Sequence, residues 1–100
     1  MTTDIKEDNG RIVVTFQGRL DTAAAVQVER DMQPLFQCKD TAIELDCSQL
    51  EYISSSGLRL FLMLLKTATA NNTKVSVANL NGLVSEVFEE TGFNNLFNIH

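Results

Sequence analysis

Leu45-Asp46-Cys47-Ser48-Gln49-Leu50-Glu51-Tyr52-Ile53-Ser54-Ser55-Ser56-Gly57-Leu58-Arg59, running straight on into Leu60-Phe61-Leu62-Met63-Leu64-Leu65, decides how this chain folds. A strand is expected to end near Asp46, and a short polar connection follows. Three hydroxyls and a glycine come next, and then a strongly apolar helix begins. The hydroxyls therefore fall at a helix start, where backbone N–H groups lack partners and the helix dipole has its positive end. Serine is a preferred cap there, and an anion is well tolerated. Gly57, with no β-carbon, allows another backbone or a phosphate-bearing partner to come close. Two readings of the serines stand side by side: a helix cap, or a modification site.

Upstream of this stretch, Asn9-Gly10 separates Asp4–Asp8 from Arg11–Gln17. Asn-Gly between two extended runs is the strongest short hairpin signal, because a type I′ turn needs positive φ at both central residues. Ile12-Val13-Val14-Thr15-Phe16 is β-branched and aromatic, which makes it a buried strand. Gly18-Arg19-Leu20-Asp21 ends that strand. Asp21 or Thr22 caps a helix in which Val28, Met32 and Leu35 face the core, with Pro34 kinking or shortening its end. Thr41 to Asp46 is the next strand.

From Gly57 to about Ala70 the second helix is apolar on nearly all sides, so it is either buried or offers one side to a partner. Asn71-Asn72 closes it, and Lys74-Val75-Ser76-Val77-Ala78 is a further strand. Asn79 or Asn81 opens a third helix with Leu83, Val84, Val87 and Phe88 at helical spacing, and Gly92 stops it. The aromatics of Phe93 to Ile99 pack back onto the core. The order is strand, strand, helix, strand, helix, strand, helix, terminal segment. That order predicts an α/β fold: a mixed β-sheet with an N-terminal hairpin and crossover helices packed on it.

The 100 residues suffice for one core and are too few for two ordinary domains, so residues 1–100 are read as a single domain. A hydrophobic content of 44% with 21% charged residues is that of a folded soluble domain. The net charge of −5 gives a nucleic-acid role no electrostatic footprint, and no polybasic membrane patch is present. The N-terminus lacks the pattern of a secretory signal. Leu60 to Leu65 falls far short of the roughly 20 apolar residues that span a bilayer, so no direct membrane insertion is expected. Cys38 and Cys47 lack metal-ligand spacing and read as reduced thiols in a cytoplasmic protein; a disulfide between them stays open on counting alone.

The inventory for catalysis is poor. The one histidine is His100. Ser54-Ser55-Ser56-Gly57 does not match the Gly-x-Ser-x-Gly elbow, and no glycine-rich phosphate loop carries a lysine. No catalytic residue and no metal site are assigned, and a hydrolase lacks a credible base. The chain reads as a substrate or binder rather than an enzyme.

Tyr52-Ile53-Ser54-Ser55-Ser56-Gly57-Leu58-Arg59, with Leu45-Asp46-Cys47-Ser48 before it and Gly18-Arg19-Leu20-Asp21 upstream, resembles the signature of the STAS family, the sulfate-transporter and anti-sigma-factor-antagonist domains. Bacterial antagonists of this family read Asp-Ser-(Ser/Thr)-Gly-Leu at this turn, and the serine after the Asp is phosphorylated by a partner kinase. Carried over, Ser55 is the phosphorylation site, with Ser54 and Ser56 as alternatives, and Ser54 stands where those proteins have Asp.

The resemblance implies a small STAS-like α/β domain and a phosphorylation-controlled partner switch. Its binding surface would comprise Asp21, Ser54, Ser55, Ser56, Gly57, Leu58 and Arg59. Unmodified, that surface would bind an anti-sigma factor or related serine protein kinase, and a phosphatase would reset it. Nucleotide and metal would belong to the kinase, so no cofactor is expected in this chain. The alternative is a non-switching STAS subunit docked on a membrane transporter complex, its serines serving only as caps.

Overall fold

Asn9 and Gly10 take φ of 52° and 81°, the pair of left-handed residues that a type I′ turn demands. They join β1 (Thr2–Asp8) to β2 (Arg11–Leu20) in an antiparallel hairpin whose register closes at Asp8 opposite Arg11. The remaining strands, β3 (Ala42–Ile53), β4 (Lys74–Ala78) and β5 (Asn98–Ile99), are added in parallel, so the five-stranded sheet has the order β1-β2-β3-β4-β5. This is a computed structural model and describes residues 1–100.

Strand order that follows chain order has a consequence for the helices. Successive right-handed crossovers all step the same way, so they land on the same face of the sheet. Burial follows that rule. Val14, Phe16, Ile43, Leu45, Val75 and Val77 are buried on the covered face, whereas Val13, Thr15, Glu44 and Ser76, at the alternate positions, are half-buried. The covering helices are α1 (Thr22–Asp31), the short α2 (Gln33–Phe36), α3 (Ser55–Ala70) and α4 (Gly82–Thr91). Phe61 of α3 meets Phe16 of β2 at 5.2 Å between ring centroids, and Phe88 of α4 at 6.2 Å. Phe97, which follows a 3₁₀ turn at Phe93–Asn95, packs 6.1 Å from Phe88, so the terminal aromatics do fold back onto the core.

Val28, Met32 and Leu35 are buried as expected. Pro34 ends the regular run: α1 stops at Asp31, and Pro34 occupies the first turn of α2, where its missing N–H costs no hydrogen bond.

One reading of the sequence needs correction. The third strand does not end near Asp46 but continues to Ile53, and the supposed polar connection is its second half. The reason lies in two register shifts against β2. Thr15 pairs with Asp46 but Gln17 with Gln49, and Gly18 pairs with Leu50 but Arg19 with Tyr52, so β3 carries an extra residue at each shift. Its buried positions therefore run Leu45, Cys47, Leu50, Ile53, and the period-two alternation that marks a strand is lost after Cys47.

Within α4, Leu83 is 49% exposed. Val84 and Phe88, four residues apart, set the buried line of α4. Leu83 lies about 100° around the helix from Val84.

Candidate partner-docking site at the serine turn

β2 and β3 finish together, with Leu20 paired to Ile53, and the Ser54 N–H donates to the Leu20 carbonyl at 2.8 Å. Each strand then turns directly into a helix, so the N-termini of α1 and α3 emerge side by side. Their caps are chemically related. The Asp21 carboxylate accepts from the Ala24 N–H at 2.8 Å, and the Ser54 hydroxyl oxygen accepts from the Gly57 N–H at 3.2 Å. Both cap readings made from sequence hold.

This geometry separates the three serines. Ser54 is 8% exposed and its oxygen is occupied by capping. Ser55, the first residue of α3, is exposed, and Ser56 is half-buried. Ser55 is therefore the most exposed of the three. The Ser54 position is a cap, a role that Asp and Ser fill about equally well. That equivalence explains how a serine can stand where the family signature has Asp without disturbing the turn.

The other residues of the expected surface divide in the same way. Asp21 and Arg59 are exposed. Gly57 and Leu58 point inward and are buried. Gly57 lies against the ends of both strands: a β-carbon there would come within 2.7 Å of Leu20 Cγ and 2.8 Å of Ile53 Cγ1. The close approach that only glycine permits is therefore made to the protein's own core.

Beside the turn, α1 and α3 enclose a groove of about 310 Å³, with Thr22, Val26 and Glu29 on one wall and Ser56, Arg59 and Met63 on the other. Val26 is 60% exposed and Met63 41%. Sequence reasoning passed over both, although each falls off its helix's buried stripe. Val26 is off the line of Val28 and Met32, and Met63 off the line of Leu60, Phe61, Leu64 and Ala68. Arg19, at the end of β2, places its guanidinium 4.5 Å from the centre of the Tyr52 ring, and Arg59 forms no ion pair.

The bulged half of β3 is tied down from the opposite side of the strand. Asp46 accepts from the Ser48 N–H at 3.0 Å and from the Asn79 amide at 3.1 Å, and Asn81 donates to the Cys47 carbonyl at 3.2 Å. Burial acts to raise the Asp46 carboxyl, but the hydrogen bonds from Asn79 and Ser48 outweigh it and hold it below its ordinary value. Cys47 is enclosed in the core, and burial together with the neighbouring Asp46 charge pushes its thiol up to about 12. Burial also raises Cys38. Both cysteines are free thiols.

His100, remote from the serine turn, pairs its Nε2 with Glu44 at 3.2 Å, and its backbone bonds to Val77 and Asn79. No three His, Cys, Asp or Glu side chains gather as a metal-binding set, and no helix is long and apolar enough to cross a membrane.

Comparison with known proteins gives the same picture. The family model for the STAS domain matches residues 2–100. BtrV, a candidate anti-sigma factor antagonist of Bordetella bronchiseptica, is 32% identical over 89% of this chain and 77% of its own length. An anti-sigma factor antagonist from Mycobacterium paratuberculosis superposes with a TM-score of 0.88 at 20% identity, covering 99% of this chain and 84% of that one. The anti-sigma factor antagonist SpoIIAA in its unphosphorylated form gives 0.81 at 22% identity, covering 99% and 88%. The phosphorylated Bacillus form gives 0.73 at 21%, covering 99% and 91%. With the full-length family match and the BtrV relationship added to the capped serine turn, the chain belongs to the STAS domain family, of the anti-sigma factor antagonist type.

Proposed function

We propose that this chain is an anti-sigma factor antagonist that acts by binding rather than catalysis, and that phosphorylation of Ser55 switches its partner. The observation that carries the reading is the division of labour at the turn: Ser54 is buried and capping, and Ser55 beside it is exposed at the first position of α3. The unmodified surface of Asp21, Ser55, Ser56 and Arg59 binds an anti-sigma factor that is also a serine kinase, in the cytoplasm. A phosphate on Ser55 adds a charge of about −1.5 to −2 to a chain already at −5 and drives that partner off by repulsion and steric block. The helix N-terminus accommodates the phosphate, so the fold stays intact.

Peptide mass spectrometry on protein from its native cells, with and without phosphatase, tests the assignment. A phosphate on Ser55 and copurification of a serine kinase are expected. A phosphate on Ser56 would keep the switch and move its residue, while no phosphate under several stress conditions, with a transporter ATPase copurifying instead, would replace the switch by a docking role. A Ser55→Glu variant should leave amide NMR shifts far from the turn unchanged.

A further inference from the structure

Resting on the switch proposed for Ser55, we propose that Arg59 is the residue through which the phosphate acts: free, it anchors a carboxylate of the partner; once Ser55 carries a phosphate, it is drawn onto that phosphate instead. Arg59 stands one helical turn after Ser55 and three residues after Ser56, the two spacings at which side chains on a helix meet. The other arginine near the turn, Arg19, is already engaged over Tyr52, whereas Arg59 is exposed and forms no ion pair. In a chain of net charge −5, the Arg59 guanidinium is a free positive charge beside the turn, and it attracts an acidic side chain. The same side chain borders the groove between α1 and α3, whose exposed apolar contacts are Val26 and Met63.

The occupant is therefore a partner segment that presents an aliphatic side chain to Val26 and Met63 and a carboxylate to Arg59. Glu29 on the α1 wall fixes the orientation, since it admits the carboxylate only at the α3 side. A second copy of this acidic chain fits poorly. A phosphoserine at position 55 is a stronger, closer acceptor than the partner carboxylate, and its pairing with Arg59 removes the anchor while leaving the groove in place.

Two measurements test this. In the first, phosphoserine is installed at position 55 by genetic encoding, and the second ionisation of the phosphate is followed by ³¹P NMR in the parent and in Arg59→Gln and Arg59→Lys. The helix dipole acts on all three equally, so the difference isolates the side chain. The midpoint should lie about half a unit or more lower in the parent than in Arg59→Gln, with Arg59→Lys between them. Equal midpoints would overturn the capture by Arg59, and this arm needs neither a kinase nor a partner.

The second arm uses the anti-sigma partner identified by copurification, as a purified protein. Arg59→Glu should weaken its binding to unmodified chain about tenfold or more, and a carboxylate-to-Lys change in the partner should restore it. A partner that binds parent and Arg59→Glu alike overturns the anchor while leaving the Ser55 switch standing; a partner that binds neither, or no partner at all, removes the switch itself. Concentration-dependent dimerisation in sedimentation, abolished by Arg59→Glu, would assign the groove to a second copy and overturn the proposal. Arg59 is exposed, so an unchanged urea midpoint in each variant separates lost recognition from lost folding.

Discussion

Replacing Gly57 by Ala sets two opposed effects against each other, and the structure decides between them. Gly57 is the third residue of α3 at negative φ, so Ala strains no backbone there, and a glycine-to-alanine change inside a helix ordinarily stabilises by up to about 1 kcal/mol. Against this, the new methyl would lie 2.7 Å from Leu20 Cγ, 3.0 Å from Leu20 Cδ2 and 2.8 Å from Ile53 Cγ1, where carbon atoms prefer roughly 3.5–4.0 Å. Neither neighbour can yield easily. Both are buried, both end strands, and the Ser54-to-Leu20 hydrogen bond ties the two strand ends together.

Overpacking of this kind costs about 1–3 kcal/mol, and with two branched side chains in the way the upper half of that range applies. The net expectation is a loss of about 1–2 kcal/mol, which lowers the melting temperature of a domain this size by about 5–15 °C and the urea midpoint by about half to one molar. Paired denaturation of the parent and Gly57→Ala reads it directly. A midpoint that is unchanged or raised would refute the reasoning, since helix propensity would then have won. A double-mutant cycle sharpens the test: in a Leu20→Ala background both Leu20 contacts are gone and only Ile53 Cγ1 remains close, so the same substitution should cost at least about 1 kcal/mol less.

Ser54→Ala should destabilise the fold by about 1 kcal/mol through loss of the cap to Gly57, while Ser54→Asp should stay within a few tenths of the parent; equal urea midpoints for the parent and Ser54→Ala would show that the cap contributes nothing. Cys47 should resist iodoacetamide until the protein unfolds, whereas the partly exposed Cys38 should react in the native state, more slowly than a free thiol. Unfolded, Cys47 releases its proton near its ordinary value of 9.0, but in the fold it holds it to about 12, so stability should fall as pH rises between those values, and Cys47→Ala should flatten that alkaline slope. An identical slope in parent and variant would contradict the burial of that thiol.

The parts of the fold that could be read from sequence are those whose signal is local. Asn9-Gly10 can hardly be anything but a two-residue hairpin turn, and the structure gives both residues the required positive φ. Asp21, Asn71-Asn72 and Gly92 mark helix ends for equally local reasons. The second half of β3 was hidden because its burial depends on its neighbour. Two extra residues relative to β2 change the spacing of inward side chains from two to three, and nothing in Cys47 to Ile53 alone announces that β2 continues alongside. Leu83 shows a second limit. The pattern of four apolar residues was correct for a helix, but which edge of the apolar arc reaches the core is set by how α4 is rolled against the sheet, a tertiary choice.

At the serine turn the same distinction separates residue type from role. Three adjacent hydroxyls are equivalent as letters and become different only when the strand ends are brought together. Ser54 is drawn inward because its own N–H is committed to Leu20 and its oxygen to Gly57, and that commitment turns the next residue outward. Gly57 then lets α3 lie against Leu20 and Ile53 closely enough that α1 and α3 start beside one another. An Asp at position 54 would make the same cap and add a negative charge next to Asp21, at the mouth where both helix dipoles are positive. The serine keeps the geometry and leaves Asp21 as the single carboxylate of the paired caps, so the mouth of the two helices carries less negative charge than an Asp-containing turn would.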